Sequence, residues 1–297
     1  MEPLTDSFAK LASGLWLEGL AIDYRRNIVW YSDVIGGGVH GLMPDGRIES
    51  INPSRKWTAG LLVNEDGAVL SSGAGGILWN NVETGRSGWL LDQIDGKPIN
   101  GINEMTADGA GGICFGTCDL EMIQRGQRTR PSALYRLTVD RELVKLAEDI
   151  RFANGLALSP TCQQLYCNDT FVGTYAFDVQ TDFRLANKRL LLEKKDCDGM
   201  AVDSDGNLWI TGFQSNHVVR IRPDGTQLPS ANAPAEAITQ VRFAGADMRD
   251  VYMTAVSPEG GESLKNGVHP TEPISFLYRG HSKISGLPIP PVRFRLG

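Results

Sequence analysis

Hydrophobic and polar positions alternate in short runs almost everywhere along this chain. Asn27-Ile-Val-Trp-Tyr-Ser, Asn207-Leu-Trp-Ile-Thr-Gly and Val218-Val-Arg-Ile each read as a strand with at least one buried face. Asp-Gly dipeptides bound such runs at Asp45-Gly46, Asp66-Gly67, Asp108-Gly109, Asp205-Gly206 and Asp224-Gly225. These suit hairpin turns in which both central residues take positive φ. No window carries a convincing long amphipathic helix. The best candidate, Glu142 to Glu148, reads equally well as an outer strand.

Laid under one another, the segments expose a repeating unit. Glu18-Gly-Leu-Ala-Ile-Asp, Asn154-Gly-Leu-Ala-Leu-Ser and Asp198-Gly-Met-Ala-Val-Asp share one hexapeptide pattern. Its first position varies, but only among oxygen donors. Weaker copies begin near Ala59, Asn103 and Thr239. The units thus recur at roughly 40 to 50 residues, the spacing of four-stranded propeller blades. Six units fill the chain and predict an all-β fold: one six-bladed β-propeller domain over residues 1–297, its four-stranded blades set around a central channel. The stretch from Asp119 to Pro131, with three arginines and few apolar residues, is expected as a loop over one end of that channel.

Composition supports many tight turns, since 34 of 297 residues are glycine, about 11% against a usual value near 7%. The net charge of −6 and the absence of basic runs argue against nucleic-acid or anionic-membrane partners. No apolar stretch is long enough to span a membrane, and Met1 to Lys10 lacks the apolar segment of a signal peptide. The five cysteines, odd in number and irregularly spaced, are expected as reduced thiols in a cytoplasmic protein. The glycine cluster Gly36 to Gly41 formally matches a dinucleotide fingerprint. It precedes a Pro-Asp-Gly turn instead of a helix, so it is expected as a loop and strand of the first blade.

In a propeller the first strand of every blade faces the channel, so Glu18, Asn154 and Asp198 should converge there, with Asn103 at the same position of the third unit. Each X-Gly pair alone reads as turn chemistry. Three copies inside one hexapeptide, each leading into alternating apolar residues, place the donor at a strand start. Two carboxylates and two amides form a hard, all-oxygen set suited to one divalent cation. Ca²⁺ is foremost and Mg²⁺, Mn²⁺ or Zn²⁺ the alternatives, Zn²⁺ through the carboxylates but without its usual His or Cys partners.

At these residues the chain resembles the SMP-30/gluconolactonase/regucalcin family, which includes Drp35 lactonases and luciferin-regenerating enzymes. The resemblance covers essentially the whole length. It rests on Leu17-Glu18-Gly19, on Asn103 ahead of Asp108-Gly-Ala-Gly-Gly and Phe115-Gly-Thr117, and on the Asn154 and Asp198 blocks. Leu277-Tyr-Arg and Gly286-Leu-Pro also resemble the family's closing blade. The resemblance implies a cation on Glu18, Asn154 and Asp198, with Asn103 as a fourth ligand or a polar contact to substrate. It implies a metal-activated water opening a small lactone, Asp198 doubling as general base, and Glu121 near the substrate.

Two departures bear on the substrate. Glu18 is followed by Gly-Leu-Ala-Ile where the family often has a Pro and a Trp, which alters packing and keeps the donor. Sugar-lactonase members often carry Arg two residues before the third-blade Asn, and here that position is Gly101, with Glu104 and Met105 after the Asn. Losing a guanidinium removes a multidentate donor for sugar hydroxyls. Glu104 and Met105 are then expected beside the substrate, in a pocket that takes a sugar-acid lactone or a more apolar one. The alternatives are an esterase or phosphotriesterase on the same site, a non-catalytic calcium-binding propeller, and an enzyme that rearranges a metabolite without net hydrolysis.

Overall fold

In the computed structural model, which describes residues 3–5, 7–127, 131–257 and 267–297, six four-stranded antiparallel sheets succeed one another along the chain. Their innermost strands are Leu17–Asp23, Thr58–Val63, Gly101–Ala107, Ala153–Leu158, Cys197–Val202 and Ala237–Ala244. Neighbouring inner strands touch in sequence order, and the sixth returns to touch the first, closing a ring. The fold is a six-bladed β-propeller.

Two features of closure were not visible in the repeat. The N-terminal strand Ala9–Gly14 supplies the outer strand of the sixth blade, pairing antiparallel with Ser275–His281. The ring is thereby held by strands from both chain ends. Leu277 to Arg279 lie in that sheet, but Gly286-Leu-Pro does not. It begins a tail that crosses one end of the channel, tied by Leu287 N–H to Val202 C=O at 2.8 Å, Val292 N–H to Val63 C=O at 3.0 Å and Arg293 N–H to Gly111 C=O at 2.8 Å.

The blades pack face to face through buried apolar side chains, with Trp30, Trp209, Phe115, Phe243 and Tyr166 among the largest. The Glu142 to Glu148 stretch is an outer strand, Leu143–Ile150 of the third blade. The Asp-Gly turns differ from expectation. Only the glycine is left-handed, at φ 76 to 88°, and none of the five aspartates is. Gly46 N–H donates to Met43 C=O at 2.9 Å, so the turn is a tight four-residue one that ends on the left-handed glycine. The Asp119 to Pro131 stretch opens with a short helix, Leu120–Gln124, capped by the Asp119 side chain accepting from Met122 N–H. Its residues 128–130 lie outside the described ones. All five cysteines are free. Among the described residues no helix is long and apolar enough to cross a membrane.

Candidate metal centre in the channel mouth

Each inner strand breaks register once, at the same place. The shift falls between Leu17 and Leu20, Thr58 and Leu61, Ile102 and Met105, Ala153 and Leu156, Cys197 and Met200, and Ile238 and Gln240. A bulge re-aims side chains that regular pleating would turn away. It lies on Glu18, Ala59, Asn103, Asn154, Asp198 and Thr239, the variable position of the repeat.

The glycine after the donor has a packing cause. A Cβ on Gly19 would lie 2.0 Å from Ala59 O, one on Gly155 2.7 Å from Asp198 O, and one on Gly199 2.5 Å from Thr239 O. Adjacent bulges are too close for a side chain there.

The next strand of each blade then clips the following bulge. Ser32 Oγ donates to Ala59 C=O at 2.7 Å, Ser72 Oγ to Asn103 C=O at 2.9 Å, and Asn168 Nδ2 to Asp198 C=O at 2.8 Å. Thr211 Oγ1 reaches Thr239 C=O at 3.4 Å, and Thr254 Oγ1 reaches Glu18 C=O at 2.7 Å. The third blade alone has no clip. Its equivalent residue is Gly116, where a Cβ would lie 2.1 Å from that of Ala153. Main-chain carbonyls that the bulges remove from the ladder are thus satisfied by buried hydroxyls and an amide.

Glu18, Asn103, Asn154 and Asp198 all line one cavity of about 600 Å³ at the mouth where the inner strands begin. Trp16 Nε1 donates to Glu18 Oε2 at 2.9 Å. Asn103 Nδ2 donates to Asn154 Oδ1 at 3.2 Å, and Asn154 Nδ2 to Thr170 Oγ1 at 3.3 Å. Asp198 Oδ1 is buried without any hydrogen-bond partner. Burial raises the Glu18 carboxyl to about 7, against the hydrogen bond from Trp16 and with the nearby charge of Glu104. Burial also pushes Asp198 well above the usual carboxylate range, and the charge of Glu18 adds to it. A buried carboxylate with an orphaned oxygen, a half-buried one and two amides suit a hard cation on oxygen donors. Among the described residues no group of three or more His, Cys, Asp and Glu side chains is placed to hold a metal. This donor set contains only two such residues, the other two being amides.

Three expected substrate contacts sit elsewhere. Met105 is fully buried in the core with Leu70, Ile77 and Phe115, because it lies past the bulge and points between blades. Glu121 lies on the outer side of the short helix, 67% exposed and 3.8 Å from Arg125, while Leu120 and Ile123 of the same turn line the cavity. Glu104 occupies the position that is glycine in four other blades, and Gln240 does so in the sixth. Their tips meet across the channel, Gln240 Nε2 donating to Glu104 Oε2. Arg242 stands 3.7 Å from the same carboxylate and donates to Met200 C=O at 2.8 Å. Burial raises the Glu104 carboxyl and lowers the Arg242 guanidinium, so desolvation outweighs their attraction. These three side chains lie between the mouth cavity and a second cavity of about 510 Å³ at the far end, which Arg242 also lines.

The repeat reading missed the aromatic rim. Two residues before the donor position stand Trp16, Trp57 and Phe152 in the first, second and fourth blades, and all three line the cavity. Gly101 holds that position in the third blade. A Cβ there would lie 2.8 Å from Leu120 Cβ and 3.1 Å from Cys118 Sγ, so Leu120 fills the space.

The signature of the SMP-30/Gluconolactonase/LRE-like region matches residues 16–257. Pentonolactonase XacC of Haloferax volcanii is 25% identical over 256 residues, covering 82% of this chain and 82% of that protein. Regucalcin of Danio rerio is 32% identical over 178 residues, 57% of this chain and 59% of its own length. The crystal structure of a calcium-binding protein, regucalcin, from Agrobacterium tumefaciens superposes with a TM-score of 0.78 at 18% identity. It covers 100% of this chain and 98% of that one, a likeness of fold.

Proposed function

This chain belongs to the SMP-30/gluconolactonase/LRE-like family, and on that premise we propose that it hydrolyses a lactone at the channel mouth with one divalent cation, Ca²⁺ foremost, held by Glu18, Asn103, Asn154 and Asp198. The observation that carries the reading is the partnerless Oδ1 of Asp198, buried beside a second carboxylate and two amides at the base of a cavity large enough for a small ester. The bound cation would polarise the lactone carbonyl and make a water acidic enough to attack at neutral pH. The lactonase relative XacC supports the reaction class, and the regucalcin relatives support the cation.

The chain's own residues would then divide the work. Trp16 fixes one Glu18 oxygen through its indole N–H, and Thr170 orients the Asn154 amide. The Asp198 carboxylate, through the oxygen that would not hold the cation, accepts the proton released as water adds to the carbonyl. The aromatic rim keeps bulk water from the reacting carbonyl.

The test is pH-stat hydrolysis of a lactone panel by protein stripped with chelator and reloaded with Ca²⁺, Zn²⁺, Mn²⁺ or Mg²⁺. Turnover that requires cation, gives a product one water heavier and is lost in Asp198→Asn is expected. Near-normal turnover by Asp198→Asn, or none with any cation, would overturn the reading.

A further inference from the structure

Above its oxygen donors the mouth cavity is apolar, and it is apolar at a cost to the backbone. Trp57 and Phe171 line it with φ of 58° and 80°. Bulky side chains rarely occupy this left-handed region, which Gly or Asn fills without strain. The one other aromatic residue there, among those described, is Phe183, whose ring lies under Arg136. Both cavity residues are pinned. Trp57 N–H donates to Val34 C=O at 2.6 Å and its carbonyl accepts from Ala74 N–H at 3.0 Å, while Phe171 N–H donates to Lys195 C=O at 3.1 Å. The Trp57 ring stands edge-on to His269 at 5.5 Å. Phe171 is 39% exposed, a ring held at the opening instead of in the core.

The polar side chains of the wall are placed differently. Gln127, Arg151, Lys195 and Gln214 are all exposed at the outer rim. Deeper in, the Thr170 hydroxyl donates to Cys197 C=O at 2.7 Å and accepts from Asn154. Around the lactone ring itself the wall therefore offers few fixed donors beyond the cation ligands. Sugar hydroxyls buried there would lack partners, and each unpaired hydroxyl is costly.

We infer that the site selects lactones bearing an aromatic or similarly flat apolar substituent, held between the rings of Trp57 and Phe171, over polyhydroxylated sugar lactones. The inference rests on the lactone-hydrolase reading and narrows its substrate.

The experiment compares three five-membered rings on cation-loaded protein: γ-phenyl-γ-butyrolactone, unsubstituted γ-butyrolactone and D-ribono-1,4-lactone. The phenyl lactone should exceed ribonolactone in kcat/KM by about a hundred-fold, since a hydrophobic pocket discriminates by about this much against an added hydroxyl. Phe171→Gly suits the left-handed backbone and should fold. With Trp57→Ala, it should cut that ratio by about ten-fold, mostly through KM. A ratio near one, or a ratio unmoved by both substitutions, overturns the inference. Calorimetric binding of the non-hydrolysable 5-phenyl-2-pyrrolidinone against 2-pyrrolidinone separates the two claims. Tighter phenyl binding that depends on Phe171 upholds the apolar site even if no lactone is turned over, in which case only the hydrolase reading fails. Equal binding of the two lactams overturns the apolar site whatever the turnover.

Discussion

The sharpest test of the channel site replaces Glu18 by Gln in protein stripped of divalent cation. The substitution keeps the side chain's shape and removes its titration. In the folded chain burial raises the Glu18 carboxyl from its ordinary 4.5 to about 7. The folded state therefore binds this proton more tightly than the unfolded chain does. Its stabilising contribution is complete below about 4.5 and is lost as pH rises through about 7. That span corresponds to about 3 kcal/mol, or roughly 6 °C in the melting temperature of a chain this long. Thermal unfolding followed by circular dichroism, in chelator at pH 5 and pH 8.5, reads it directly. Wild type should melt several degrees lower at the higher pH, and Glu18→Gln should lose clearly less. Ca²⁺ should restore wild type at pH 8.5 and leave the variant nearly unmoved, because the cation takes over the role of the proton only where the carboxylate exists. Parallel pH profiles for the two proteins, or equal stabilisation of both by Ca²⁺, would refute the reasoning.

Removing an inter-blade clip should loosen the donor it holds. Asn168→Ala and Thr254→Val, which free the carbonyls of Asp198 and Glu18, should each cost about 1–3 kcal/mol in chemical denaturation and weaken Ca²⁺ binding measured by calorimetry. Gly101→Arg, which restores the residue common in sugar-lactonase relatives, should cost about 1–3 kcal/mol through overlap with Leu120; the same denaturation assay checks this, and turnover of sugar lactones should not rise. Arg242→Met should cost on the order of 3 kcal/mol by leaving Glu104 buried without its partner. The double variant Glu104→Gln/Arg242→Met should cost less than Arg242→Met alone, and equal or additive losses would show that the pair is not coupled.

The blade count and the inner-strand donors were legible because both are periodic. One bulge geometry recurs in every blade, so one hexapeptide recurs with it, and Glu18, Asn154 and Asp198 stand out at its single variable position. Closure of the ring was not legible. Ala9–Gly14 carries no copy of the unit, and its outer-strand role follows from pairing with a strand more than 260 residues away. Glu104 and Met105 were misplaced for a related reason. Adjacency to Asn103 in sequence says nothing about side once a bulge interrupts the pleat. Glu121 was misplaced because it lies on a helical turn whose other face, Leu120 and Ile123, carries the contact. The aromatic rim was within reach, since Trp16, Trp57 and Phe152 share one offset from the donor position. What hid it is that the offset lies outside the conserved hexapeptide of the repeat, where three of six blades carry something else.

The bulge explains how one ring serves both structure and chemistry. Main-chain carbonyls at five of the six bulges are held by the preceding blade, so the side chain at the same position can vary, although that of Thr239 bonds Leu17 C=O. Ala59 and Thr239 occupy it beside two carboxylates and two amides in the same closed ring. The glycine that follows is constrained in the opposite sense, by backbone approaching within 2.0 to 2.7 Å of any Cβ at Gly19, Gly155 and Gly199. Where the third and sixth blades abandon glycine, they do so as a pair on opposite sides of the ring. Glu104 and Gln240 then meet across the channel beside Arg242, Gln240 Nε2 donating to Glu104 Oε2. A side chain in only one of those blades would lose this bond across the channel and keep only its contacts to main-chain N–H groups and Arg242. The proposed cation site therefore rests on a floor that two blades build together. Exchanging either residue alone should disturb the site more than exchanging both, which is the coupling that the Glu104 and Arg242 variants measure from the other side of the same carboxylate.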